Sequence, residues 1–346
     1  MSTEQLSGPL AGSLKGRFHH IAGARELSCT RIDQARQRLS SLPSDELDVV
    51  AFGSLARLEV TAESDFDYLV LAAGVPATPT AATDLLRAAD ELRATWAQEE
   101  GREGSEVSPP GATNIFGRTV GAFELVDQIG LQEDTNHSTT RRMLLIEESV
   151  SLRNGHVHER VLRSALDRYL LVGPTSDDKV PRFLLNDVVR YWRTITVDYQ
   201  AKVRQDQSVS GLRYVKLLIP RKILYAGTLM SLMLCGKEGR HSATVDDLYC
   251  QFTMPPIDRL VQAYDDAPGS IQDAMEQVLA CIDHYLELSA DRAWRDDVKK
   301  SWKGSTEPCV AFDEIRQHAA ELQASLESIF FDWDLLASDA RKMLVF

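Results

Sequence analysis

Residues 48–71, DVVAFGSLARLEVTAESDFDYLVL, constrain this chain more than any other stretch. DVVAF is a short, β-branched apolar run that stops at Gly53, which predicts a strand over 48–52. SLARLEV then predicts a short helix, TAESD a turn, and FDYLVLA a second strand. Alternation over 65–70 sends Asp65 and Asp67 to one face, and Phe66 and Tyr68 to the other. Two carboxylates about 7 Å apart on one face of a buried strand repel each other. Hard cations relieve that repulsion. Mg²⁺ takes oxygen ligands and keeps open positions for substrate phosphates.

The Gly-Ser pair supplies a second half to this reading. Gly53 closes one strand and opens a short helix, where backbone approaches a phosphate closely and helix N-terminal N–H groups favour an anion. Ser54 Oγ is placed to donate to a phosphate oxygen. The short helix and turn bring the second strand back beside the first, so both features face one cleft. A strand–turn–strand with a solvated acidic face is the plainer alternative. It leaves the Gly-Ser spacing and the apolar residues beside both aspartates unexplained.

The remaining chain sets the context. At 346 residues it exceeds the size at which one core stops growing, so two domains are expected. A net charge of −13 argues against a general nucleic-acid coating protein. Cys29, Cys235, Cys250, Cys281 and Cys309 lack the close spacing of a zinc site and read as reduced thiols. The first residues carry no apolar leader, and the apolar segment 223–236 is too short to span a bilayer and reads as a core helix. A soluble, cytoplasmic protein with no membrane partner is expected. Helices are predicted over about 25–42 and 78–100, the latter capped by Thr80 or Thr83, with a strand near 115–120. From about 139 onward all the periodicity is helical, which predicts an α/β part followed by an all-α part, dividing near 130–150. In the helical part Asn186, Arg190 and Arg193 share a face, as do Arg213 and Lys216, and Pro220 starts a helix. Those cations suit a triphosphate, or pair with Asp187 and Asp198. Thr135, Asn136 and Ser138 read as a cap, His156 and His158 as a polar helix start, and Trp192 as core.

Phe52, Gly53, Ser54, then Asp65, Phe66, Asp67 and Tyr68 together resemble the signature of the polymerase β-type nucleotidyltransferase superfamily. That signature is an apolar residue, Gly, Gly or Ser, a spacer of roughly nine to thirteen residues, Asp, apolar, Asp or Glu, apolar. GSLARLEVTAESDFDYLVL is most similar to the branch holding the nitrogen-signalling protein uridylyltransferase, where Gly-Ser is followed by Arg and a Ser-Asp-x-Asp. The resemblance covers about 48–72, with a weaker helical similarity to about 155. Neither the histidine-aspartate phosphohydrolase pair nor the tandem ligand-sensing domains of that enzyme are visible.

The resemblance implies an α+β fold, with a nucleotidyltransferase domain over 1–140 and a helical domain over 141–346 closing the nucleotide cleft. It implies two Mg²⁺ ions, or Mn²⁺, on Asp65 and Asp67, and an NTP whose β/γ-phosphates are held by Gly53 and Ser54 with help from Arg57. Arg190, Arg193 and Lys216 would be further triphosphate contacts. Family members supply a third acid from a later strand. Glu106 is the choice here, with Glu124 and Asp127 as alternatives in a segment that looks helical. The implied reaction transfers an NMP to an acceptor hydroxyl with release of pyrophosphate. A protein or small-molecule acceptor is favoured over an RNA end or a second nucleotide, as in cyclic oligonucleotide synthases. The alternative of another class is a non-catalytic nucleotide-binding regulator or toxin–antitoxin component.

Overall fold

The computed structural model describes residues 14, 16–43, 46–102, 115–172, 180–205, 210–235, 243–300 and 309–344. Helix α1, His19–Leu39, is followed by strand β1, Leu47–Phe52. Gly53–Ala56 makes one helical turn, α2, before strand β2, Asp67–Ala72. Helix α3, Ala81–Glu99, then leads to β3, Thr119–Gly121, and the short helix α4, Ala122–Val126. Helix α5, Asn136–Glu147, strand β4, Ser149–Ser151, and helix α6, Gly155–Val172, follow.

The four strands form one sheet in the order β3-β2-β1-β4. β1 is antiparallel to both neighbours, with Phe52 opposite Asp67 and Ala51 opposite Val150, while β3 runs parallel to β2. Every residue of β1 is buried, as expected of a central strand covered on both faces. Leu47, Val49 and Ala51 join Tyr68 and Val70 in a core closed by Leu85, Ala89 and Trp96 of α3 and Ile32 and Leu39 of α1. These α3 residues recur at helical spacing, which is what lets one helix face cover the sheet. α6 packs against β1, β2 and β4. Asp48 is the polar exception in β1. Its Oδ1 accepts from the backbone N–H groups of Arg153 at 2.9 Å and Asn154 at 2.7 Å, tying β1 to the entry of α6.

Two compact units emerge from the contacts. The first comprises Ala24–Ser176 with Thr244–Pro255, and the second comprises Pro9–Gly23, Asp177–Ala243 and Pro256–Phe346. The expected division at 140 therefore falls too early, because β4 pairs with β1 and α6 packs on the sheet. Nor did the sequence reading anticipate that a later segment rejoins the first unit. This is helix α10, Val245–Thr253, opened by a Thr244–Asp247 capping box. It lies against α6, with Arg163 bonded to Asp246 at 2.5 Å and stacked over Tyr249.

The second unit is helical throughout its described residues. It contains α7, Arg182–Gln205; α8, Ser210–Leu218; and α9, Pro220–Leu234. After α10 come α11, Pro256–Val261; α12, Gly269–Ala290; α13, Arg292–Lys300; α14, Val310–Phe331; and α15, Asp334–Leu344. Pro220 opens α9 as expected. The stretch Gly211–Leu234 is long and apolar enough to cross a membrane, yet it is mostly buried inside the protein, which fits a core helix. α9 crosses α11 so closely that a Cβ on Gly227 would lie 2.4 Å from the Pro256 carbonyl oxygen.

Candidate functional site

The first unit brings the Gly-Ser turn and the second aspartate together. β1 ends at Phe52, Gly53 takes φ of +65°, and the chain turns at once into α2. That φ lies in the left-handed region, which glycine enters without steric cost. In the register, Asp67 lies opposite Phe52, one residue from Gly53. A Cβ on Gly53 would stand 3.5 Å from Asp67 Oδ2. Glycine therefore serves the backbone turn and also leaves space beside the carboxylate. Ser54 is half-buried at the start of α2, where the first N–H groups of a helical turn have no intrahelical acceptor.

Asp65 is placed differently from the expectation. β2 begins at Asp67, so the predicted strand over 65–70 starts two residues late and Asp65 belongs to the turn before it. That turn is closed by the Ser64 N–H to the Thr61 carbonyl at 3.0 Å and the Thr61 N–H to Ser64 Oγ at 2.9 Å. The Asp65 side chain is 46% exposed, and its Oδ1 lies 3.8 Å from Arg102 Nη1. The alternation itself is visible in the aromatic partners. Phe66 is buried, stacks on Tyr68 at 5.1 Å and meets Trp96 edge-on at 4.8 Å.

Arg102, just past α3, was not singled out by the sequence because it sits in the Gly-rich run GREG. It is buried, donates to the Ser64 carbonyl at 3.0 Å, and pairs with Glu100, which also pairs with Arg31. Arg31, Ser64, Asp65, Phe66, Trp96 and Arg102 line one small recess. Burial, and then repulsion from Arg102, push the Arg31 pKa down to about 10, with Glu99 opposing. The turn that carries Asp65 is thus clamped to the end of α3 by one guanidinium.

Arg57 is already paired with two carboxylates. Its side chain is 11% exposed and lies between Glu59 and Glu148, each 2% exposed. Nε donates to Glu59 Oε2 at 2.7 Å, and Nη1 donates to Glu148 Oε2. Burial opposes the charge on Arg57, but the two carboxylates outweigh it and raise its pKa. Burial raises the Glu59 pKa, with Arg57 and Arg25 countering. Arg57 ties the segment after α2 to the end of α5. Leu58 beside it has φ of +58°, in the left-handed region.

The other expected residues separate. Glu106 lies outside the described residues. Glu124 is in α4, where it pairs with Arg141 at 3.4 Å, and Asp127 caps the same helix. The described residues beside β2, 115–121, read Ile-Phe-Gly-Arg-Thr-Val-Gly and carry no carboxylate. Arg190 and Arg193 are exposed on α7, with Arg190 3.9 Å from Asp187, and Lys216 is half-buried on α8. All three belong to the second unit. Thr135 caps α5, accepting from the Ser138 N–H at 3.1 Å, as expected. His158, read as part of a polar helix start, is instead buried, with Nε2 2.7 Å from Ser149 Oγ. Burial pushes its pKa down to about 4.

No group of three or more His, Cys, Asp or Glu with metal-binding placement occurs among the described residues. Mg²⁺ asks for less than that, because it is commonly held by one or two carboxylates, with phosphate oxygens and water completing the shell. Asp67, beside the side-chain-free Gly53, and the exposed carboxylate of Asp65 fit that need in donor chemistry. Comparison with protein-family models, with curated proteins and with solved structures gave no match to this chain.

Proposed function

We propose that this protein is a metal-dependent nucleotidyltransferase that moves an NMP from an NTP to an acceptor hydroxyl, releasing pyrophosphate. The observation that carries the reading is the pairing of a left-handed Gly53 at the end of β1 with Asp67 at the head of the adjacent strand. It supports a site where phosphate and carboxylate approach each other, which a divalent cation must mediate. Asp65 and Asp67 would hold Mg²⁺, which when bound neutralises phosphate charge and activates the attacking hydroxyl. Ser54 would donate to a β- or γ-phosphate oxygen, and Gly53 would admit the phosphate to the backbone. Arg102 sets the position of Asp65 through the Ser64 carbonyl. Arg57 sets the loop after α2 through Glu59 and Glu148. Catalysis on this plan is chiefly positioning and electrostatics. A small molecule or a protein hydroxyl is the proposed acceptor.

A second reading is favoured by the β3 side of β2, where described residues 115–121 carry no carboxylate. On that reading the protein binds a nucleotide without turning it over and acts as a regulator. Transfer of label from α-³²P-NTP, with pyrophosphate release, separates the two. The enzyme reading expects metal-dependent label that disappears in both Asp65→Ala and Asp67→Ala. Label indifferent to both substitutions overturns it. Nucleotide binding without transfer to any acceptor establishes the regulator.

A further inference from the structure

The helical unit contains a cleft of about 220 Å³ that opens to solvent, concave and mostly apolar as small-molecule sites are. Trp192 of α7 and Tyr225 of α9 stack with centroids 5.1 Å apart and planes at 11°, forming one wall. Leu229 on α9, Leu326 and Phe330 on α14, and Leu344 at the end of α15 continue the lining. Trp192 packs against the core of Tyr199, Val203 and Leu217, as expected, and also borders this cleft.

One cation stands in this apolar setting. Lys222, in the first turn of α9, lines the cleft and is half-buried. Among the described residues no hydrogen bond or ion pair involves it, whereas Glu327, on the same cleft, accepts from Gln323 Nε2 at 2.7 Å. Burial lowers the Lys222 pKa, with Cys281 and Glu327 opposing from a distance. A half-buried ammonium without a close counter-ion is costly, and an anion arriving with the ligand relieves that cost. A purely apolar ligand would leave the cost in place, and a cation would add to it.

We infer that this cleft is a binding site for an amphipathic carboxylate, its apolar body against Trp192, Leu229 and Phe330 and its carboxylate on Lys222. The site is independent of the nucleotidyltransferase reading, since every lining residue belongs to the second unit. The shared chemistry is an apolar body with one anionic end. A flat aromatic acid and an aliphatic chain acid are its two sources.

The test is calorimetric titration of the full chain with 1-naphthoate and with decanoate, each beside its neutral alcohol, 1-naphthalenemethanol or decan-1-ol. Binding of one carboxylate per chain is expected, at least roughly tenfold tighter than its alcohol, because the alcohol cannot make the charge-assisted bond. The tighter acid identifies the source. Lys222→Met should erase the preference for acid over alcohol while the melting temperature holds. Leu229→Trp should fill the cleft and remove binding of all four probes. Equal affinity for acid and alcohol in the unaltered protein overturns the inference, and so does an acid preference that survives Lys222→Met. Failure of both acids to bind at about 1 mM overturns it as well.

Discussion

Replacing Arg57 with methionine keeps the bulk of the side chain and removes its charge. The change strands Glu59 and Glu148, whose side chains are each 2% exposed. Breaking one buried, hydrogen-bonded ion pair by deleting a partner typically costs about 3–5 kcal/mol. Arg57 serves two carboxylates, but the losses do not add, because the two share one partner and Arg25 also acts on Glu59. The expected loss is thus about 3–5 kcal/mol, a large part of the stability of an ordinary domain. Urea unfolding, followed by far-UV circular dichroism, measures it. The deficit should shrink as pH falls and Glu59, whose pKa burial raises, takes up a proton. It should also shrink when Glu59→Gln and Glu148→Gln accompany Arg57→Met. A loss below about 1 kcal/mol, the range of an exposed pair, would refute the buried-tie account. A full loss that the two glutamines leave untouched would refute it too.

Gly53→Ala should cost about 1–2 kcal/mol, since alanine must adopt a left-handed φ. In the same variant nucleotide affinity, measured by equilibrium titration, should fall further than stability explains. Gly227→Ala should cost on the order of 1–3 kcal/mol, because its Cβ would meet the Pro256 carbonyl at 2.4 Å and force α9 and α11 apart; a thermal melt reads this directly. Two buried groups pull the pH dependence of stability in opposite directions. His158, lowered from 6.5 to about 4, contributes stability that is present above pH 6.5 and lost as pH falls through about 4. Asp48, raised by burial from 3.8 to about 6, contributes stability that is present below pH 3.8 and lost as pH rises through about 6. Urea midpoints between pH 4 and 7 should therefore fall more steeply on acidification in Asp48→Asn than in the unaltered protein. They should fall less steeply in His158→Gln.

Strands β1 and β2 were legible because their signals are local: an unbroken apolar run ending at glycine, and an alternation that packs Phe66 and Tyr68 beneath α3. That Gly53 and Asp67 face one place followed from the same twenty residues, since α2 and the turn after it return β2 to the side of β1. Asp65 departed from the pattern for a reason no local rule contains. The Thr61–Ser64 turn delays the strand, and Arg102, thirty-eight positions after Ser64, holds the turn. The pairing of Arg57 was hidden for the same kind of reason. Its position after Gly-Ser suggested phosphate, while its partner Glu148 is ninety-one positions away. The return of α10 to the first unit is a long-range event too, although its Thr244–Asp247 capping signal was present in the sequence.

The proposal that Gly53, Asp65 and Asp67 form one phosphate and metal site is tested most directly by a crystal structure. The crystals should contain Mn²⁺ and a non-hydrolysable NTP analogue, with the metal located by its anomalous scattering. The account predicts metal between Asp65 and Asp67, triphosphate oxygens at the Gly53–Ser54 backbone, and Asp65 withdrawn from Arg102. Metal away from both aspartates, or a triphosphate that does not touch the Gly53 turn, would contradict it.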